Sequence, residues 1–184
     1  MNANLHQGQT ILRARTELSC AAGAIILLHG RGGSAAEILE LSQSLSRARW
    51  GLLAPQAAGH TWYPYSFLAP REQNEPHLNS ALEQVQSALA TTVTAGIPRE
   101  RVVLAGFSQG ACLASEFVGR NPARYGGLLA FTGSLVGPLG SHLSLTGDLV
   151  GAFVLLSSGD PDPYVPWKRV AETAELIREI GGRV

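Results

Sequence analysis

One segment, Val102–Cys112 with the sequence VVLAGFSQGAC, constrains the fold more than any other part of the chain. Its apolar start is short enough to be a buried strand, its middle is the glycine-rich pentapeptide GFSQG, and a segment with helical apolar periodicity follows at once. This order predicts a strand, a sharp turn and a helix, with Ser108 at the tip of the turn. Glycines on either side of the tip let neighbouring backbone pass close to the bend.

The position predicted for Ser108 suits a nucleophile. Its hydroxyl would stand at the C-terminal edge of a sheet, with the first amides of the next helix pointing toward whatever it attacks. A serine hydroxyl is a poor nucleophile at neutral pH, so it needs a base, an acid that orients the base, and amides that hold the developing oxyanion. The alternative is an ordinary serine in a glycine-rich turn, and the segments described next favour the nucleophile.

A second glycine-rich turn, HGRGG at residues 29–33, follows the apolar run Ala24–Leu28. Glycines after a strand let the N–H of Arg31 face the site, and the N–H of Gln109 is the matching second donor, so the two predict an oxyanion hole. A glycine-rich loop that only precedes a helix is the alternative. We expect His29 to brace this loop rather than to act as the base.

The acid is expected after a later strand, in the turn SGDPDPYVP at residues 158–166. Asp162 and Asp160 both lie in this turn. We prefer Asp162, because the prolines that follow it fix the turn leading into the next helix.

A long loop over Gln56–Asn74 is rich in aromatic residues and histidine. Loops of this length are usually functional or disordered, and the aromatic clustering favours order. The loop forms either a wall of the substrate pocket or a small cluster on its own side chains, and the two alternatives are compatible.

Strands and helices are predicted to alternate along the whole chain, which is typical of an α/β fold with a mostly parallel central sheet and helices on both faces. The expected strands are Thr10–Thr16, Ala24–Leu28, Leu52–Pro55, Val102–Ala105, Gly127–Phe131 and Ala152–Leu156. The expected helices run from a capping box at Ser34-Ala35-Ala36-Glu37 to about Ala48, from His77 to Ala95, from the serine turn to Arg120, and from Pro166 to Ile180.

Length and charge narrow the class of protein. The 184 residues fit a single domain, 1–184, and lysine plus arginine balance aspartate plus glutamate at 14 each. This balance removes the electrostatic case for nucleic acid as a partner, so we expect a small, weakly charged ligand. No two histidines have metal-ligand spacing and the third glycine of a dinucleotide site is absent, so no metal and no cofactor are expected.

The cysteines and hydropathy predict a cytoplasmic protein. Cys20 and Cys112 are far apart in sequence, and Cys112 is expected to be a core thiol. The N-terminal residues do not resemble a signal peptide, and no apolar segment is as long as a membrane span. Integral membrane association is therefore not expected. Oligomeric state stays open, with a homodimer among the assemblies considered.

From about Ala22 onward the chain resembles an α/β-hydrolase of the phospholipase/carboxylesterase (acyl-protein thioesterase-like) family, with some similarity to dienelactone-hydrolase-like proteins. The matching parts are the strand with His29-Gly30-x-Gly32, the Trp62 loop, the GFSQG pentapeptide and Gly159-x-x-Asp162-x-x-Val165-Pro166. The family usually has histidine where Ser158 stands.

This resemblance implies a serine carboxylesterase of small to medium acyl esters, with thioesters or lysophospholipids as further substrates. It implies Ser108 as nucleophile, Asp162 as triad acid, and Arg31 and Gln109 as oxyanion donors. The substrate-binding residues expected around the pocket are Trp62, His29, His60 and Phe67.

The base histidine is the element that the sequence lacks. In this fold it follows the acid along the chain, yet all five histidines precede Asp162: His6, His29, His60, His77 and His142. Three explanations stay open: a truncated fold without its C-terminal strand end and last helix, a split enzyme whose base comes from another chain, or recruitment of His60. A truncated fold would expose an apolar flank of the sheet. The alternative function is a ligand-binding hydrolase scaffold with little or no activity.

Overall fold

The central sheet of the protein has six strands, five of them parallel. The computed structural model describes residues 5–42, 49–141 and 143–184. The strand order is β1-β3-β2-β4-β5-β6, and only β1 is antiparallel to its neighbour. The strands are β1 (Ile11–Arg15), β2 (Gly23–Leu28), β3 (Trp50–Pro55), β4 (Val102–Phe107), β5 (Gly127–Phe131) and β6 (Val154–Ser157). The predicted fold class is therefore confirmed.

Four α-helices in the described residues cover the sheet, and they begin close to where the sequence predicted them. They are α1 (Ala35–Leu41), α2 (His77–Thr94), α3 (Gln109–Arg120) and α4 (Trp167–Glu179). The serine half of the capping box is confirmed, since Ser34 Oγ accepts from the Glu37 amide at 3.3 Å; the Glu37 carboxylate accepts from the Ser34 hydroxyl at 2.9 Å rather than from its amide. The expected end of α1 near Ala48 lies outside the described residues. Within the described ranges, no helix is both long and apolar enough to cross a bilayer.

Alternate residues of β2 pack on opposite faces of the sheet, as strands covered on both sides do. Ile26 and Leu28 contribute to a core with α2, α3 and α4, whereas Ile25 and Leu27 pack on the side of α1. Helix α3 is the most enclosed of the four, because every residue from Gln109 to Gly119 is buried. This burial fixes the helix that begins at the serine turn.

On the face that carries α1, no described helix covers β4, β5 and β6. The large apolar side chains of this face are between 41% and 66% exposed: Phe107, Phe131, Phe153 and Leu155. A depression of about 860 Å³ lies on this face, far from the serine turn. The expectation of an exposed apolar flank is confirmed.

The last described residues pair with β6. Arg183 forms a parallel bridge to Phe153, with Val154 N–H donating to Arg183 O at 2.8 Å and Arg183 N–H donating to Ala152 O at 2.9 Å. Beyond this bridge, the outer edge of β6 has no partner strand among the described residues.

Candidate active site

The turn between β4 and α3 holds Ser108 in a backbone conformation that L residues rarely adopt, with φ 52° and ψ −119°. Such strained positions cluster at functional sites, because the surrounding structure has to impose them. Ser108 N–H donates to Phe131 O at 2.9 Å, and Ser108 O accepts from Cys112 N–H at 3.0 Å. The turn is thus bonded to β5 on one side and to the first turn of α3 on the other.

Two glycines allow this turn. A Cβ on Gly110 would meet the carbonyl of Leu28 and would lie 2.6 Å from His29 O, both at the end of β2. A Cβ on Gly106 would meet the carbonyl of Gly110. The close backbone approach predicted from the pentapeptide is therefore present, and it brings the start of α3 against β2.

A cavity of about 440 Å³ opens beside the half-buried Ser108. Residues from four parts of the chain line it: Arg31, Tyr63, Pro64, Tyr65, Ser66, Phe67, Gln109, Cys112, Tyr164 and Val165. The aromatic loop forms one wall, so the predicted pocket wall is the alternative that the structure supports. A volume of this size matches a small or medium organic group.

Two residues that line the cavity, Arg31 and Gln109, have backbone amides without an acceptor among the described residues. Gln109 is the first residue of α3, and a first-turn N–H has no partner within its own helix. The partial positive charge at this helix end favours an anion nearby.

The same two residues use their side chains to hold residues 61–65, which we call the wall segment. Gln109 Oε1 accepts from Trp62 N–H at 3.0 Å and from Thr61 Oγ1 at 3.2 Å, and Gln109 Nε2 donates to Tyr63 O at 2.8 Å. Arg31 donates to the next two carbonyls of the segment, Pro64 and Tyr65, at 2.9 and 2.7 Å. Sequence reasoning missed these contacts, because nothing in the sequence shows where a glutamine or arginine side chain points.

Asp162 lies in the turn after β6, at the edge of the sheet where the serine turn also lies. Its Oδ1 accepts from the amides of Tyr164 and Val165, both at 2.8 Å, and these two residues line the cavity. Asp160 is exposed on the surface of the same turn. The structure thus brings the Asp162 turn to the cavity, and the role of its carboxylate stays a prediction.

His29 and Trp62 lie behind the cavity wall. The Trp62 side chain is wholly buried and donates from Nε1 to His29 O at 2.8 Å, and the two rings are 4.9 Å apart. His29 Nε2 accepts from Ala57 N–H at 3.1 Å, so Nδ1 donates to Gly30 O at 2.7 Å. Neither residue is among those that line the cavity, although both were predicted to bind substrate. Their hydrogen bonds instead join the turn after β2 to the aromatic loop.

Of the remaining predicted pocket residues, Phe67 lines the cavity and His60 does not. His60 is exposed, and its Nδ1 lies 2.8 Å from Gly33 O. His6, to which the sequence assigned no role, is buried against Trp62. Its Nδ1 accepts from Ala58 N–H and its Nε2 donates to Trp62 O, both at 3.0 Å. His142 lies outside the described residues.

Burial lowers the pKa of both His6 and His29, because a charged ring would lose its hydration. Each imidazole is therefore harder to protonate in the folded protein than in the unfolded chain. The pKa of a histidine in the unfolded chain is about 6.5. Above this pH each imidazole is neutral in both the folded and the unfolded state, so the free energy of unfolding does not change with pH. Below it the unfolded chain binds protons first, so the folded state loses stability.

We expect the free energy of unfolding to fall between about pH 7 and pH 5, by at most about 1.4 kcal/mol per pH unit for each buried histidine. Urea unfolding at several pH values measures the slope. His6→Gln should flatten it by removing one of the two groups, and His60→Gln, at an exposed site, is the matched control. An unchanged slope in His6→Gln would contradict the assignment.

Within the described ranges, no three histidine, cysteine, aspartate or glutamate side chains lie together as a metal site would require.

The comparisons with known proteins agree with this geometry. A model of the phospholipase/carboxylesterase family matches residues 14–184. The chain belongs to the phospholipase/carboxylesterase family. The crystal structure of a phospholipase/carboxylesterase from Dyadobacter fermentans is similar over 95% of this chain and 84% of that one, with 42% identity and a TM-score of 0.90. Both the family and the α/β-hydrolase fold predicted from the sequence are confirmed.

Curated relatives of this family member include two acyl-protein thioesterases. Acyl-protein thioesterase 1 of Schizosaccharomyces pombe is 31% identical over 57% of this chain. Acyl-protein thioesterase 1 homolog 1 of Dictyostelium discoideum is 26% identical over 69% of this chain. The matches span 47% and 65% of the lengths of those two proteins, respectively.

Proposed function

We propose that the protein is a serine carboxylesterase of small to medium acyl esters, thioesters and lysophospholipids included, with Ser108 as its nucleophile. The observation that carries the proposal is the strained Ser108 beside a cavity that is lined by two residues whose backbone amides have no described acceptor. Family membership supports the same chemistry.

In the proposed reaction Ser108 Oγ attacks the carbonyl carbon of the ester while its proton passes to a histidine base. The carbonyl oxygen becomes an oxyanion, which the N–H groups of Arg31 and Gln109 stabilise. Collapse of this intermediate breaks the bond to the leaving oxygen or sulfur, which takes the proton from the histidine. Water then releases the acyl group from Ser108 by the same steps. Asp162 orients the histidine.

The base is proposed to come from outside the described residues, on a further segment or on another chain. In the described part of the chain no histidine lines the cavity. The ring nitrogens of His6 and His29 are engaged by other groups.

The lack of a described base also favours a second candidate, a scaffold that binds an ester-like ligand without turnover. The two functions differ in the reactivity of Ser108. The cytoplasmic location and the homodimer stay predictions.

A fluorophosphonate probe followed by mass spectrometry tests the proposal. In a chain that carries its base histidine we expect one adduct on Ser108, which Ser108→Ala abolishes and Ser66→Ala retains, since Ser66 lines the same cavity. Binding of the probe with no adduct would favour the scaffold, and an adduct that persists in Ser108→Ala would contradict the role of Ser108.

Turnover of a p-nitrophenyl ester tests the source of the base. These 184 residues alone should turn it over weakly or not at all, and a longer native reading frame that carries a histidine should restore turnover. Robust turnover that His60→Ala blocks would instead assign the base to His60.

A further inference from the structure

All the described hydrogen bonds of the Gln109 side chain go to the wall segment. It is 6% exposed, and its three hydrogen bonds go to Thr61, Trp62 and Tyr63. A buried amide that loses such partners leaves donors and acceptors unpaired, which is costly. The side chain therefore links the start of α3 to the wall segment without freedom to move.

The Arg31 side chain holds the other end of the same segment. Its two terminal nitrogens donate to the consecutive carbonyls of Pro64 and Tyr65. A planar guanidinium can bond two such groups at once, whereas the point charge of a lysine has no fork to match them. The turn after β2 is thus linked to the wall segment by a two-point contact.

Further hydrogen bonds join the wall segment and the residue before it to the turn after β2. Gly32 N–H donates to His60 O at 2.8 Å, and the His60 ring contacts Gly33 O. The Trp62 indole donates to His29 O. The wall segment and the residue before it therefore bond both the start of α3 and the turn at residues 29–33.

We infer that the side chains of Arg31 and Gln109 are positioning residues that act through the wall segment to fix the separation of their own backbone amides. The two amides lie on different elements, and the wall segment is the part of the cavity wall that bonds both. The inference rests on the proposed function, because the separation matters only if both amides bind one oxyanion. It assigns the wall segment a part in the rate as well as in the shape of the cavity.

The test compares Gln109→Met, Arg31→Met and the double variant in the rate at which a fluorophosphonate modifies Ser108. Each single variant should lower the maximal rate by about 10- to 100-fold, with the apparent affinity for the probe unchanged. The double variant should react about as slowly as the slower single variant, since both changes release the same segment.

Conservative variants and a matched control sharpen the test. Gln109→Glu keeps one acceptor oxygen for the Trp62 amide, and Arg31→Lys keeps one donor, so each should fall between its methionine variant and the natural residue. Thr91→Val, in α2 and outside the cavity lining, removes a hydroxyl that donates to Ser87 O and should change the rate less than about threefold. Additive losses in the double variant, or a loss of affinity alone, would overturn the inference.

Hydrogen exchange separates failure of the inference from failure of the proposed function. If the natural protein forms no adduct on Ser108, the proposed function fails, and exchange at the Gly32 amide then decides the inference. Gln109→Met should speed that exchange, although Gln109 makes no bond to Gly32, because the wall segment joins them. Unchanged exchange at Gly32 would overturn the coupling.

Discussion

Asp162→Asn should lower ester turnover about 10⁴-fold in a chain that carries its base histidine, and should leave the residual rate of these 184 residues nearly unchanged. The carboxylate is proposed to act only by orienting the histidine, so it has nothing to orient when the histidine is absent. The residual rate would come from amide donors and binding. Asparagine keeps an Oδ1 acceptor for the Tyr164 and Val165 amides, so the turn itself should survive.

Steady-state kinetics on a p-nitrophenyl ester measure this effect in both the shorter and the longer chain. Asp160→Asn is the matched control, because Asp160 is exposed in the same turn and should change neither rate. A large loss caused by Asp162→Asn in the 184 residues alone would show that a histidine within them serves as base, and would contradict an external one.

Gly110→Ala should destabilise the fold by more than about 4 kcal/mol, which is exceptional for a single methyl group. The new Cβ would meet the carbonyl of Leu28 and would lie 2.6 Å from His29 O. Neither backbone carbonyl can move without breaking β2, so α3 would have to leave the sheet.

Gly119→Ala, in the same helix, is the matched control for this change. Its Cβ would meet Leu135 Cδ2 at 3.0 Å, and a side-chain methyl can shift. In both variants the change from glycine to alanine raises the helix propensity by about 1 kcal/mol. The two variants therefore differ only in the group that the new Cβ meets. Urea unfolding measures both, and a similar stability for the two variants would contradict the packing argument.

The strands and helices could be predicted because their signals are local. Apolar runs marked five of the strands, alternation marked β1, and capping residues marked the start of α1. Strand ends were less accurate: β6 was expected over Ala152–Leu156 and is observed over Val154–Ser157. Its bounds follow from pairing with β5, where Leu128 faces Val154, and no local pattern contains that register.

The site was predictable where backbone geometry decides it. A tight turn requires glycines at fixed offsets, so the position of Ser108 followed from the pentapeptide. The orientation of Trp62 could not be predicted, because an indole that faces a pocket and one that bonds a buried carbonyl look alike in sequence. Its partner, His29 O, lies on an element that is distant along the chain. For the same reason, the sequence could not show that the hydrogen bonds of the Gln109 side chain go to the wall segment.

The bridge between Arg183 and Phe153 also sets a direction. A parallel neighbour advances with β6, so polypeptide that continued from this bridge along the outer edge would run toward Ser157 at about 3.3 Å per residue. Four further residues would reach the end of β6. The residues after them would lie at the edge of the sheet where the Asp162 turn begins. The parallel direction of this one pairing thus determines at which end of the sheet an added strand would finish.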